Sequence, residues 1–162
     1  RDPWYVVPDV EVPDVLLPVF SEAPALLVND AQLAASSSLL CGYLRGITAE
    51  HLATAWYTSL TLLQLELQVP SQVGGVLELT ATDAGRLRLP RVAHATPGHL
   101  QRVSTSLAAR QPLDAFALGD GPVLQGQLHL TADQVMLVRR SVDELAAWRT
   151  AYRSGPDSRL AS

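Results

Sequence analysis

Lysine is missing altogether from this 162-residue sequence: all twelve basic residues are arginine. Every cation is therefore a planar fork matched to carboxylate or phosphate, not a flexible point charge. Cysteine is nearly missing too. Cys41 stands alone, so no intrachain disulfide can form, which excludes a disulfide-stapled scaffold and fits a reducing cytoplasm. Charge is sparse, at 17% of residues against the usual ~25%. The formal net charge of -4 argues against a free-standing nucleic-acid binder, which is usually basic. A nucleic-acid role would need a local arginine patch or a basic partner domain. Long apolar runs are absent as well. The most apolar stretch, around Trp56, is interrupted by Thr58, Ser59, Gln64 and Glu66, so no membrane span is expected. The opening Arg1-Asp2-Pro3-Trp4-Tyr5 is no signal peptide, because an acid and a proline break it. It has no initiator Met and reads as the continuation of something longer.

What is present is enough apolar material for a core. Hydrophobic residues make up 48% of the chain, which excludes a disordered tail. A domain of this length buries about 70% of the surface its unfolded chain exposes and needs no metal or disulfide staple. Prolines 3, 8, 13, 18 and 24 punctuate the first thirty residues and limit them to short strands and extended segments. Trp4–Val7, Val15–Leu17 and Ala25–Val28 are expected strands, and another apolar run covers Leu39–Leu44. Thr48 is the expected N-cap of one long helix reaching Gln68, with Leu52, Trp56, Ser59, Leu63 and Leu67 on one face and Trp56, Leu60 and Leu63 in the core. A Gln72-Val73-Gly74-Gly75 loop leads into a strand over Val76–Leu79. Thr82–Gly85 suggests one helical turn, and Arg86–Pro90 alternates as an edge strand does. A helix is expected from Gly98 to Arg110, and mostly irregular chain from Pro112 to Pro122. Thr131-Ala132-Asp133-Gln134 is a capping box that opens a last helix reaching about Arg153. The order predicts an α+β fold, with short strands around one long helix and a small C-terminal helical piece. It divides as an α+β unit over 1–92, a connecting segment with one helix over 93–130, a C-terminal helix over 131–155 and a disordered tail over 156–162.

The residues do not assemble a recognised catalytic motif. Ser36, Ser37, Ser38, His51 and Asp30 hold the side-chain types of a nucleophilic triad, but no Gly-x-Ser-x-Gly elbow surrounds the serines. His94 and His99 flank Pro97, so one helix cannot align them as metal ligands. Gly74-Gly75 lacks the Lys-Ser/Thr of a phosphate loop. The positive signal is basic: Arg86, Arg88 and Arg91 closely follow the twin glycines. On a strand, Arg86 and Arg88 would point to one side, where two forks could meet successive phosphates. From charge alone, a solvated strand face is the alternative. Arg139, Arg140, Arg149 and Arg153 lie at helical spacing from Asp143 and Glu144, which predicts a salt-bridged surface.

Read in order, several segments resemble the C-terminal target-recognition region of class I, Eco57I-like adenine-specific DNA methyltransferases of restriction–modification systems. Arg1–Tyr5 is similar to their Arg-x-Pro-Trp-Tyr. Val28-Asn29-Asp30-Ala31 followed by Ser36-Ser37-Ser38-Leu39 resembles Val-Asn-Glu-Ala … Ser-Asn-Ser-Leu. Ala55-Trp56-Tyr57-Thr58-Ser59-Leu60-Thr61 resembles Ala-Trp-x-Asn-Ser-Leu-Thr, and Gly74–Pro90 resembles a Gly-Gly-Gly-x-x-Lys-Leu-x-Pro … Leu-Pro segment. Thr131–Arg153 is similar to their closing helix. The family's lysine position holds Glu78, its proline Ala81, and its two asparagines Thr58 and Ser37. The resemblance implies a part that reads double-stranded DNA and is not catalytic by itself. It implies a separate N-terminal catalytic domain that binds S-adenosylmethionine, and cytoplasmic work without a membrane. It implies DNA contacts at Ser71, Gln72, Gly74, Gly75, Arg86 and Arg88, with Asn29, Ser37 and Ser38 second. Trp4 would plug a pocket toward the catalytic domain, which would cover an apolar patch here. A docking module of a restriction–modification system, or a degenerate remnant, is the alternative.

Overall fold

The computed structural model describes residues 11–151 and confirms an α+β architecture. The expected strand over Trp4–Val7, the Trp4 plug and the tail over 156–162 lie outside the described residues. Strand β1 (Val15–Pro18) is the centre of one antiparallel sheet, flanked by β3 (Leu27–Val28) and β4 (Leu39–Gly42). The second sheet sets β6 (Val76–Glu78) between β2 (Phe20–Ser21) and β5 (Ser71–Gln72). Val19 hands the chain from one sheet to the other. Its N–H donates to the Ser38 carbonyl at 3.1 Å, and its own carbonyl accepts from Leu79 N–H at 2.8 Å. Pro18 and Pro24 keep the strands on either side short.

The helices are α1 (Ala49–Trp56), α2 (Ser59–Gln68), α3 (Ala81–Arg86), α4 (His99–Ala108), α5 (Pro112–Ala117) and α6 (Ala132–Ala151). Two expectations are corrected. The single helix over 48–68 is two helices. Thr58 caps the second, its hydroxyl accepting from Thr61 N–H at 3.2 Å, while the Tyr57 carbonyl accepts from Gly119 N–H at 2.9 Å. A Cβ at Gly119 would collide with that carbonyl and lie 2.8 Å from Thr58 Cγ2, so only glycine lets the 119–120 turn plug the break. The restart rotates the face: Ser59, Thr61, Leu62 and Leu65 are buried, and Leu67 is exposed. The stretch 112–122, expected to be irregular, holds α5 and a π-helical turn over Asp120–Gln125. Pro112 sits at the helix start, where its missing N–H costs nothing.

Both capping boxes form as their spacing demands. Thr131 and Gln134 satisfy each other at 2.8 and 3.2 Å, and Thr80 and Asp83 at 3.3 and 3.2 Å. The main core runs from Val15, Leu17 and Leu26 through Trp56, Tyr57, Leu65, Leu77 and Leu79 to Val103, Phe116 and Val142. Two of its aromatic rings, Tyr57 and Phe116, meet at 5.3 Å in a tilted arrangement. Buried aromatic tips are satisfied: Trp56 Nε1 donates to Pro24 O at 3.0 Å, and Tyr57 OH to Leu26 O at 2.7 Å.

Candidate nucleic-acid interface

The twin glycines form the turn between β5 and β6. Gly75 N–H donates to Gln72 O at 3.1 Å, and Gly74 (φ 93°) and Gly75 (φ 74°) both occupy the left-handed region that favours glycine. They do not share an environment. Gly74 faces open space. Gly75 is buried against α6, where a Cβ would lie 3.3 Å from Thr150 Cα and Cγ2. The Gly75 carbonyl accepts from the Arg149 guanidinium, which also donates to Glu22 O at 3.0 Å and to both Glu66 oxygens at 2.7 and 2.9 Å. The turn is therefore held by the C-terminal helix. Ser71, Gln72 and Val73 are exposed beside it, and the Gln72 amide donates to the Glu78 carboxylate.

The edge strand expected over Arg86–Pro90 does not form. Arg86 ends α3, and the following chain is extended without a strand partner. Gln64 on α2 supplies the missing ladder: its amide donates to Arg88 O at 2.8 Å, and its carbonyl oxygen accepts from Arg88 N–H at 2.9 Å. Both arginine side chains are exposed, but no strand pleat places them on one side. The secondary candidates border the other sheet. Asn29 spends its side chain on Pro13 O, Leu33 O and Leu33 N–H at 2.8 to 2.9 Å, tying down its loop. Ser37 and Ser38 lie in the exposed turn before β4, where the Ser36 and Ser38 hydroxyls pair at 2.7 Å.

The basic strip continues to Arg91, and there it meets a cleft. Leu89, Pro90, Arg91, Val92 and Ala93 form one wall. Gly46, Ile47, Thr48 and the α1 residues His51, Leu52 and Ala55 form the other, enclosing about 670 Å³. Arg45, the residue before Gly46, is exposed. The Thr48 hydroxyl accepts from His51 N–H at 3.3 Å and meets His51 Nδ1 at 2.8 Å. The hydroxyl and the imidazole are thus joined, and either can be the donor. The cleft combines an imidazole, a guanidinium and the first turn of a helix, whose free N–H groups favour an anion. Arg45, Arg86, Arg88 and Arg91 are all exposed. Arg139 and Arg149 are committed to carboxylates instead.

That commitment corrects the expected salt-bridged surface of the last helix. Among the described residues only Arg140 follows it, bonding Glu144 at 2.9 Å, and Arg153 lies outside them. Arg139 Nε bonds the buried Asp120 at 2.7 Å, and Asp120 also accepts from Ser59 N–H at 2.8 Å and Ser59 Oγ at 2.6 Å. This carboxylate sits on the N-terminus of α2, where the helix dipole favours it. The raw materials of a triad stay apart: His51 is bonded to Thr48 and Ser36 to Ser38. No group of His, Cys, Asp and Glu able to hold a metal occurs among the described residues. Burial, then the nearby Arg102 charge, holds His99 below its ordinary value. Both its ring nitrogens are buried without a hydrogen-bond partner.

The cleft could not be read from sequence because its walls lie some forty residues apart. The local signals, Thr48 as a cap and Arg91 in the basic cluster, were visible singly. The family model of the C-terminal domain of Type II methyltransferase M.Eco57I matches residues 1–124. No curated protein and no solved structure matches the chain.

Proposed function

Since the chain belongs to the family of the M.Eco57I-type methyltransferase C-terminal domain, we propose that it is the DNA-recognition part of an adenine-specific, S-adenosylmethionine-dependent DNA methyltransferase. Methylation would depend on a catalytic domain that binds the cofactor, and the work is cytoplasmic. The described residues offer no cofactor cradle of their own at the twin glycines, because Gly75 is packed on Thr150. An adenine amino group is unreachable inside the stack, so the target base must leave the duplex. The recognition part holds the duplex through phosphates while that happens.

The observation that carries this reading is the exposure of Arg45, Arg86, Arg88 and Arg91 on the two chain segments that flank one cleft. Arg91 and the α1 N-terminus would take a backbone phosphate, with the His51 imidazole beside it. Exposed Ser71 and Gln72 and half-buried Gly74 remain candidates for further contacts, as do Ser37 and Ser38. Phosphate contacts release counterions, so the test is a mobility shift with duplex DNA at several salt concentrations. Arg91→Gln should weaken binding across all sequences and reduce the salt slope by about one. His51→Ala should weaken binding with little change in slope. An Arg91→Gln slope equal to that of the parent chain refutes the cleft as the phosphate site.

A further inference from the structure

Helix α6 turns two different faces to its surroundings. Val135 and Val142 point into the protein, and Arg139 and Arg149 reach inward to carboxylates. On the opposite side lie Leu137 and Trp148, exposed by 65% and 74%, with Met136, 63% exposed, on the flank beside Leu137. Arg140 and Glu144 sit between them, bonded to each other at 2.9 Å within the helix but with 79% and 58% of their side chains in water, so a second copy can share the pair. At 100° per residue, Leu137, Arg140, Glu144 and Trp148 form one stripe along the helix. Large apolar side chains exposed on the outer face of one helix, with a Trp among them, mark an interaction surface.

The order of residues along the stripe is self-complementary. Val142 lies two positions from both Arg140 and Glu144, and six from both Met136 and Trp148. A two-fold axis across the outer face at the level of Val142 therefore brings Arg140 onto Glu144 of a second copy, and Glu144 onto its Arg140. The same operation lays Trp148 over the Met136–Leu137 pair of the other helix, twice. One register satisfies both the charges and the apolar residues, which is what an isologous interface requires and a heterologous partner does not. The helix has 20 residues, or about 30 Å, a length over which two antiparallel helices can pair. It lies beyond the residues that match the family model.

We propose that the outer face of α6 is an antiparallel homodimer interface, with Trp148 packed on Met136 and Leu137 and two reciprocal Arg140–Glu144 pairs at its centre. Sedimentation equilibrium on the 162-residue chain tests it, at concentrations up to about 100 μM, where a micromolar complex is saturated. The parent chain should show the mass of two chains. Trp148→Ala, Arg140→Glu and Glu144→Arg should each weaken association at least about tenfold. Circular dichroism confirms that each variant retains its helix. The decisive arm mixes Arg140→Glu protein with Glu144→Arg protein. Each alone presents like charges to its own copy, whereas the mixture presents opposite ones, so association should return only on mixing. A monomeric parent chain, a dimer indifferent to these substitutions, or a mixture that stays monomeric overturns the proposal.

Discussion

Replacing Arg149 by alanine tests the claim that α6 is a structural part of the fold. The Arg149 and Glu66 side chains are 8% and 3% exposed, and two charge-assisted bonds of 2.7 and 2.9 Å join them. The same guanidinium serves the carbonyls of Gly75 and Glu22. Arg149→Ala leaves the Glu66 carboxylate uncompensated inside the protein, which costs about 3–5 kcal/mol. Total stability for such a domain is about 5–15 kcal/mol, so the loss is a large share of it. At roughly 3 °C per kcal/mol for this size, Tm falls by about 10 °C. Removing both charges, in Glu66→Leu with Arg149→Met, should recover most of the loss, because the penalty lies in the orphaned charge. Arg140→Ala is the control: its pair with Glu144 is exposed, and its loss costs less than about 1 kcal/mol. Urea denaturation of the four proteins reads these differences directly. If Arg149→Ala and Arg140→Ala unfold within about 0.5 kcal/mol of each other, the argument that α6 is anchored by a buried ion pair is wrong.

Gly75→Ala combines a left-handed φ with a tight approach to Thr150, so it should cost about 1–3 kcal/mol, and Gly74→Ala, which meets only open space, about 1 kcal/mol; equal melting temperatures for the two would contradict the packing of Gly75. His99 titrates below its unfolded value of about 6.5 because its charged form is buried beside Arg102. Its contribution is therefore full above about pH 6.5 and is lost as pH falls toward the lower folded value, since the unfolded chain takes the proton first. His99→Phe should flatten the denaturation midpoint between pH 7 and about 5 and raise it at neutral pH by about 1 kcal/mol, because two unpartnered nitrogens leave the core. Asp120→Ala should destabilise by about 3 kcal/mol, since Arg139 and the α2 N-terminus both lose their acceptor; a shift under 1 kcal/mol in thermal unfolding would rule out that role. Tyr57→Phe leaves the Leu26 carbonyl without its 2.7 Å partner and should lower stability by about 1–2 kcal/mol in the same assay.

The elements that the sequence made legible are those decided within a few residues. The Thr131–Gln134 box and the Thr48 cap each place a helix end through chemistry on neighbouring residues. The segments resembling methyltransferase recognition regions were legible in the same way, as short strings in order. What stayed hidden was decided at long range. Thr58-Ser59 reads as polar interruption inside a helix, yet both residues are also good caps. Only the arrival of Gly119 and Asp120, some sixty residues later, selects the cap reading. The Arg86–Pro90 alternation is a true extended pattern, but its partner is the Gln64 side chain on a helix and not a strand. Hydrophobic alternation cannot tell those partners apart. The arginines followed the same rule: spacing on α6 suggested local pairs, while Arg139 and Arg149 reach Asp120 and Glu66, 19 and 83 residues away.

The boundary of the matched family segment and the boundary of the stable structure therefore differ. The match ends at residue 124, but two buried carboxylates within it, Glu66 and Asp120, find their counter-charges on α6. Gly75, inside the matched segment, needs Thr150 and Arg149 as its packing surface. A buried carboxylate without its cation is costlier than no carboxylate at all. The two acids thus bind the family-like portion to a helix whose opposite face is free for association. The same division of labour leaves the cleft arginines exposed. The cations of the strip near Arg91 have no buried acid to serve, and remain available to an external anion.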